Sequence, residues 1–121
     1  MAALILTVDD SPSMRQLIKA TLQGAGFAVA QAADGVLALE YARTHAAPSL
    51  VLTDANMPNM DGITLVRELR ALPSYQAIPI LVLTTESSPE SKKRGKEAGA
   101  NGWIVKPFSP EELVATVKRN I

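Results

Sequence analysis

Short apolar runs alternate along this chain with longer stretches in which apolar residues return every three or four positions. The runs are Leu4–Val8, Phe27–Ala32, Leu50–Thr53, Ile80–Thr84 and Gly102–Val105. Three are almost continuously apolar, the pattern of strands covered on both faces. Between them the helical period is carried by Met14, Leu17, Ile18 and Leu22, by Val36, Leu39 and Ala42, and by Leu65, Val66, Leu69 and Leu72. Leu113, Val114, Val117 and Ile121 carry it at the end. Ser11, Ser88 and Ser109 each precede a proline, which puts a hydroxyl at the N-cap and proline at the first helical position. Glu112 adds a capping box to Ser109, and Lys118 and Arg119 lie at the negative end of the same helix. Gly24, Gly26 and Gly99 supply stops or turns. Five β-α units joined by right-handed crossovers predict an α/β fold: a doubly wound parallel sheet with helices on both faces.

In such a sheet, ligands bind beyond the carboxyl ends of the strands, where the winding direction reverses. Polar residues fall there. Asp9 and Asp10 follow the first run, Asp54 the third, Thr84 closes the fourth and Lys106 follows the fifth. The second run offers no comparable group, as expected of an edge strand. Three carboxylates on one rim raise each other's pKa values unless positive charge sits among them. A hard divalent cation meets that need, and Mg²⁺ takes oxygen ligands while keeping waters and sharing phosphate oxygens. Calcium fits less well, because no loop here spaces acidic residues for its larger shell.

The remaining features narrow the class. At 121 residues the chain is expected to form one domain over 1–121 with one core. Twelve basic side chains balance twelve acidic ones, so neither nucleic acid nor an anionic membrane is an expected partner. No cysteine is present, which excludes disulfides and thiolate metal sites. The apolar start, Ala2 to Val8, is too short to span a membrane and lacks a basic leader. The expected location is the cytoplasm.

The motifs Val8-Asp9-Asp10-Ser11, Thr53-Asp54-Ala55-Asn56-Met57-Pro58, Met60-Asp61-Gly62, Leu83-Thr84-Thr85-Glu86 and Lys106-Pro107-Phe108 together resemble the bacterial response-regulator receivers. Within that family they are most similar to the stand-alone chemotaxis regulators of the CheY type. The likeness spans essentially the whole chain. It implies a flavodoxin-like five-stranded sheet with five helices and strand order 2-1-3-4-5, of which CheY is itself a type example. It also implies a signalling switch, not a turnover enzyme, with Asp54 as phosphoacceptor. Mg²⁺ would be held by Asp10 and Asp54, by Asp9 through a water, and by the backbone carbonyl of Asn56. Lys106 and Thr84 would contact phosphoryl oxygens, and Thr84 and Trp103 would form the switch pair. The Lys106–Pro107 bond is expected to be cis. Implied partners are a CheA-type histidine kinase as donor and a flagellar motor switch protein as target, with the chain a monomer. The alternative is a phosphorelay intermediate serving a histidine phosphotransfer protein. The chain ends with the fifth helix, so output is expected through a protein surface.

Some residues depart from the family pattern. Tryptophan stands at position 103, where tyrosine or phenylalanine is more usual. Thr85 is bulkier than the small residue common there. The stretch from Ser88 to Ala98 has almost no apolar face, and Lys92, Lys93, Arg94 and Lys96 crowd around Gly95. It reads either as a solvated helix or, the favoured reading, as a loosely held basic output surface for an acidic partner. Asn56 and Glu86 are expected to set the lifetime of the aspartyl phosphate, although Glu86 reads equally well as an exposed helix-entry acid. His45 is expected to be structural, and Tyr41 and Tyr75 to be packing or surface residues. Three rivals are a degenerate docking receiver, a Mg²⁺-dependent aspartyl phosphatase and a flavin carrier. The first would lack the acceptor, an acidic partner or the lysine. The second needs an acid where Asn56 stands, and the third needs aromatic residues beyond the 4% present.

Overall fold

The computed structural model describes residues 2–85 and 88–121. Its strands are β1 (Leu4–Val8), β2 (Ala28–Ala32), β3 (Leu50–Asp54), β4 (Ile80–Thr84) and β5 (Gly102–Val105). The helices are α1 (Pro12–Gly24), α2 (Gly35–Thr44), α3 (Gly62–Arg70), α4 (Pro89–Ala98) and α5 (Pro110–Asn120), with a 3-10 turn over Pro73–Tyr75. All strand pairs are parallel, in the expected order β2-β1-β3-β4-β5. Only two strand limits differ from the sequence reading. Phe27 precedes β2, and β3 runs one residue further to include Asp54. No helix among the described residues is long and apolar enough to cross a membrane.

Alternation along the strands sorts the core into two layers. Leu6, Val8, Val51, Ile80 and Val82 face α2 and α3, where Ala38, Leu39, Leu65, Val66 and Leu69 meet them. Ile5, Leu50, Leu52, Leu81 and Leu83 face the other way, onto Ile18 and Leu22 of α1 and Leu113 and Val117 of α5. Strands β3 and β4 are buried at every residue, which is why they read as unbroken apolar runs.

The Ser-Pro starts behave as caps. Ser11, Ser88 and Ser109 accept hydrogen bonds from the amides of Met14, Ser91 and Glu112 at 3.3, 3.2 and 3.1 Å. Two aspartates cap the remaining helices: Asp34 accepts from Leu37 N at 2.9 Å, and Asp61 from Thr64 N at 2.8 Å. Gly99 closes α4 in the left-handed region at φ 113°.

Helix α4 corrects one inference from the sequence. From the sequence it reads as having almost no apolar face and as loosely held, yet Gly95 and Ala98 are buried in the fold. A search for large apolar residues overlooks a face made of small ones. The helix is held further at its C-terminal end by Arg70. That guanidinium donates to the carbonyls of Gly99 at 3.0 and 2.9 Å, Tyr75 at 2.6 Å and Ile78 at 2.7 Å, and to Asn101 Oδ1 at 2.7 Å. Asn101 Oδ1 also accepts from Ile80 N at 2.8 Å. The end of α3, the 3-10 turn, the start of β4 and the cap of α4 are thereby tied at one point.

Candidate phosphoryl and metal site

Four strand ends, those of β1, β3, β4 and β5, deliver the site side chains to one rim. In the ladder, Val8 pairs with Thr53, Asp54 with Leu83, and Thr84 with Val105. The ladder continues past the strands: Ala55 N donates to Leu83 O and Lys106 N to Thr84 O, each at 2.8 Å. The Lys106 backbone is thus fixed beside the end of β4, and its Nζ lies 2.8 Å from Asp54 Oδ1 and 3.9 Å from Asp9 Oδ2. The Lys106–Pro107 bond is cis. Asp9, Asp54 and Thr84 are buried, while Asp10 is exposed.

Carboxylate oxygens of Asp9, Asp10 and Asp54 all lie within 4.8 Å of one another. Asp9 Oδ1 accepts from Ser11 N at 2.9 Å. Its other oxygen, Oδ2, is buried without a hydrogen-bond partner among the described residues. A buried, unsatisfied carboxylate oxygen is costly, and a cation among these three groups would relieve it. The donor set fits a hard oxygen-seeking divalent ion.

Burial chiefly raises the Asp9 carboxyl above its ordinary value. The Ser11 amide opposes this, Asp54 adds to it, Lys106 lowers it, and Asp10 raises it again. A carboxyl whose folded pKa is raised costs stability once ionised. That cost is absent below the unfolded value and grows as pH rises through the folded one. In the absence of divalent cations at neutral pH, Asp9→Asn is therefore expected to melt about 3–6 °C above the wild type, which roughly 1 kcal/mol produces in a domain of this size. Asparagine keeps an acceptor for Ser11 N. The gap should close on acidification and on adding Mg²⁺, and calorimetric melts showing no gain at neutral pH would contradict this account.

Other expected residues lie close by. Asn56 is exposed and shares a cleft of about 270 Å³ with Asp61, Arg67, Thr84, Arg94 and Trp103. Lys92 and Lys96 line a second pocket with Asn101 and Trp103, and Lys93 is exposed. The basic residues of α4 therefore divide, with Arg94 on the cleft side and Lys92 and Lys96 on the other. Thr85 is exposed, and Glu86 lies outside the described residues. His45 ends α2, stacked on Tyr41 with ring centroids 4.1 Å apart, and Tyr75 is fully buried.

Two contributors escaped the sequence reading. Arg15 Nη1 donates to the Asp9 carbonyl at 2.8 Å, steadying the loop that carries both acids. The available signal was a cation one turn into α1, where the helix dipole disfavours it. Asn59, at φ 70°, donates to Asp34 Oδ2 at 3.1 Å and links two rim loops.

Comparison with known proteins agrees with this geometry. Residues 5–118 match the model of the response regulator receiver domain. Among curated proteins, chemotaxis protein CheY1 of Helicobacter pylori is 42% identical over 90% of this chain and 89% of its own length. The DNA-binding response regulator MtrA of Mycolicibacterium smegmatis is 40% identical over the whole chain, which spans only 51% of that protein. Among solved structures, Vibrio cholerae chemotaxis protein CheY4 superimposes with a TM-score of 0.95 at 47% identity, with both chains fully covered. The receiver domain of sensor histidine kinase PA1611 from Pseudomonas aeruginosa has a magnesium ion coordinated in its active site cleft. It superimposes at 0.90 with 31% identity, over 99% of this chain and 98% of that one. Matched along nearly its whole length, and similar in structure to a CheY protein over all of it, the chain belongs to the response regulator receiver domain family of two-component signalling.

Proposed function

We propose that the chain is a Mg²⁺-dependent phosphorylation switch in which Asp54 accepts a phosphoryl group from a CheA-type histidine kinase and passes the signal to a flagellar motor switch protein. One observation carries the reading. Asp54 lies between the Lys106 ammonium at 2.8 Å and two further carboxylates within 4.8 Å, so an acceptor stands between a cationic arm and an acidic pocket. Bound among Asp9, Asp10, Asp54 and the Asn56 carbonyl, Mg²⁺ would offset their charge and share a phosphoryl oxygen. The magnesium in the PA1611 receiver supports that assignment.

The residues act by placement. Asp54 attacks phosphorus in line as its bond to the donor histidine nitrogen breaks, forming an aspartyl phosphate. Lys106 donates to one phosphoryl oxygen and Thr84 to another. Asn56 and Glu86 set how readily water reaches the product. Phosphorylation adds about two negative charges, and Trp103 reorients with Thr84. The chain cycles between two states in the cytoplasm as a monomer, without turning over a substrate. Likeness to CheY1 and CheY4 supports chemotaxis, while MtrA is a longer, DNA-binding response regulator. Intact-mass spectrometry after phosphoramidate and Mg²⁺ is expected to show one alkali-labile phosphate, absent when EDTA replaces the metal. A folded chain that takes up none would overturn the proposal.

The exposed lysines of α4 form the output face. Reversing Lys92 and Lys93 to glutamate is expected to weaken capture of an acidic target by about tenfold, or 1.4 kcal/mol. Phosphate uptake should be unchanged, and a parallel loss of uptake would give these lysines a folding role instead.

A further inference from the structure

We infer that Gly95 is the positioning residue of the Trp103 switch: by lacking a side chain it seats the indole on the α4 backbone and sets the orientation held before phosphorylation. A Cβ on Gly95 would lie 2.4 Å from Trp103 Cη2 and 2.9 Å from both Cζ2 and Cζ3. The outer ring of the indole thus rests against the helix itself. Any other residue type forces the ring or the helix to move. Trp103 cannot slide away along the sheet, because β5 holds it in register with Val82.

The surroundings give that seat a function. Trp103 borders the site-side cleft of about 270 Å³, shared with Asn56, Thr84 and Arg94. It also borders the outer pocket of about 290 Å³, shared with Lys92, Lys96 and Asn101. The indole is a partition between the two, and it touches α4 at Gly95. Its Nε1 is buried without a hydrogen-bond partner among the described residues, so among those residues shape rather than polar bonding orients the ring. Two oddities of the sequence account for each other: an oversized aromatic at the switch position, and a glycine inside a charged helix.

The sign of one substitution separates this from an incidental glycine. Alanine is the better helix former, so a glycine with no task would give a more stable protein on Gly95→Ala. A seat gives the reverse. Resting on the reading of Trp103 as the switch residue, the test compares Gly95→Ala, Trp103→Phe and the double variant in thermal melts. It also compares wild type and Gly95→Ala by fluorescence and intact mass, before and after phosphoramidate with Mg²⁺. With Trp103 present, Gly95→Ala is expected to lower the melting temperature by several degrees, shift the resting emission and lose at least about half of the phosphorylation-linked change. Phosphate uptake should stay within about twofold of wild type, and in the Trp103→Phe background the same change should raise the melting temperature. Stabilisation in both backgrounds, or unaltered Trp103 emission, overturns the inference. If Gly95→Ala does not fold, a folded double variant supports the seat and an unfolded one refutes it. If the wild type takes up no phosphate, the switch reading fails, while the melts and resting emission still decide the seat.

Discussion

In Asp54→Asn, phosphoramidate and Mg²⁺ are expected to add no phosphate and to leave Trp103 emission unchanged, whereas the wild type shows both effects. An amide is a poor nucleophile toward phosphorus, and neither neighbouring carboxylate has the close Lys106 contact that Asp54 has. Asp9 is bound at Oδ1 by Ser11 and keeps Lys106 at 3.9 Å, and Asp10 is exposed. Loss of a sole nucleophile costs roughly three orders of magnitude or more. The near-isosteric amide leaves the strand and its packing intact, so circular dichroism should match the wild type. Because Trp103 is the only tryptophan, its emission reports one place. Equal emission changes in both proteins would mean that the metal or the donor, not the aspartyl phosphate, moves the ring.

Gly62→Ala is expected to be the most damaging single methyl in the chain, lowering stability by roughly 3 kcal/mol or more and the melting temperature by about 10 °C. The added Cβ would fall 2.2 Å from the Asp54 carbonyl oxygen and 2.9 Å from Ala55 Cα. Both are backbone atoms, which cannot swing aside as a flexible side chain does. The same close approach lets Gly62 N donate to Ala55 O at 2.9 Å, docking the start of α3 onto the end of β3. Displacing that carbonyl also shifts Asp54, so phosphate uptake by the folded fraction should slow. Gly24 is the control, because nothing lies within 4 Å of its Cβ position. Gly24→Ala should be neutral or stabilising. Similar melting temperatures for the two variants would show that the contact at Gly62 relaxes freely.

The sequence made the sheet legible because parallel strands buried on both faces must be apolar at every position, as β3 and β4 are. Ser-Pro pairs marked three helix starts for a local reason, a cap and a preset angle. The rim could be read because each of Asp9, Asp54, Thr84 and Lys106 stands where a strand stops. What stayed hidden depends on distant or backbone partners. Nothing local marks Arg70, whose partners Gly99 and Asn101 are 29 and 31 residues away. The reason for Gly95 is equally remote, because the ring that rests on it comes from β5. The basic stretch of α4 read as one patch, whereas the helical turn sends Arg94 and Lys92 to different openings.

The Arg70 anchor has a mechanical consequence. With the carbonyl of Gly99 clamped, the C-terminal end of α4 is the fixed pivot for any tilt of the helix, and the end nearer Thr84 would travel furthest. Ten residues of helix span about 15 Å, so a swing of about 10° carries the free end some 2.6 Å while the hinge stays still. A small push at the phosphoryl pocket would thereby be magnified across the lysine-bearing surface, and it would shift Gly95 against the indole that rests on it.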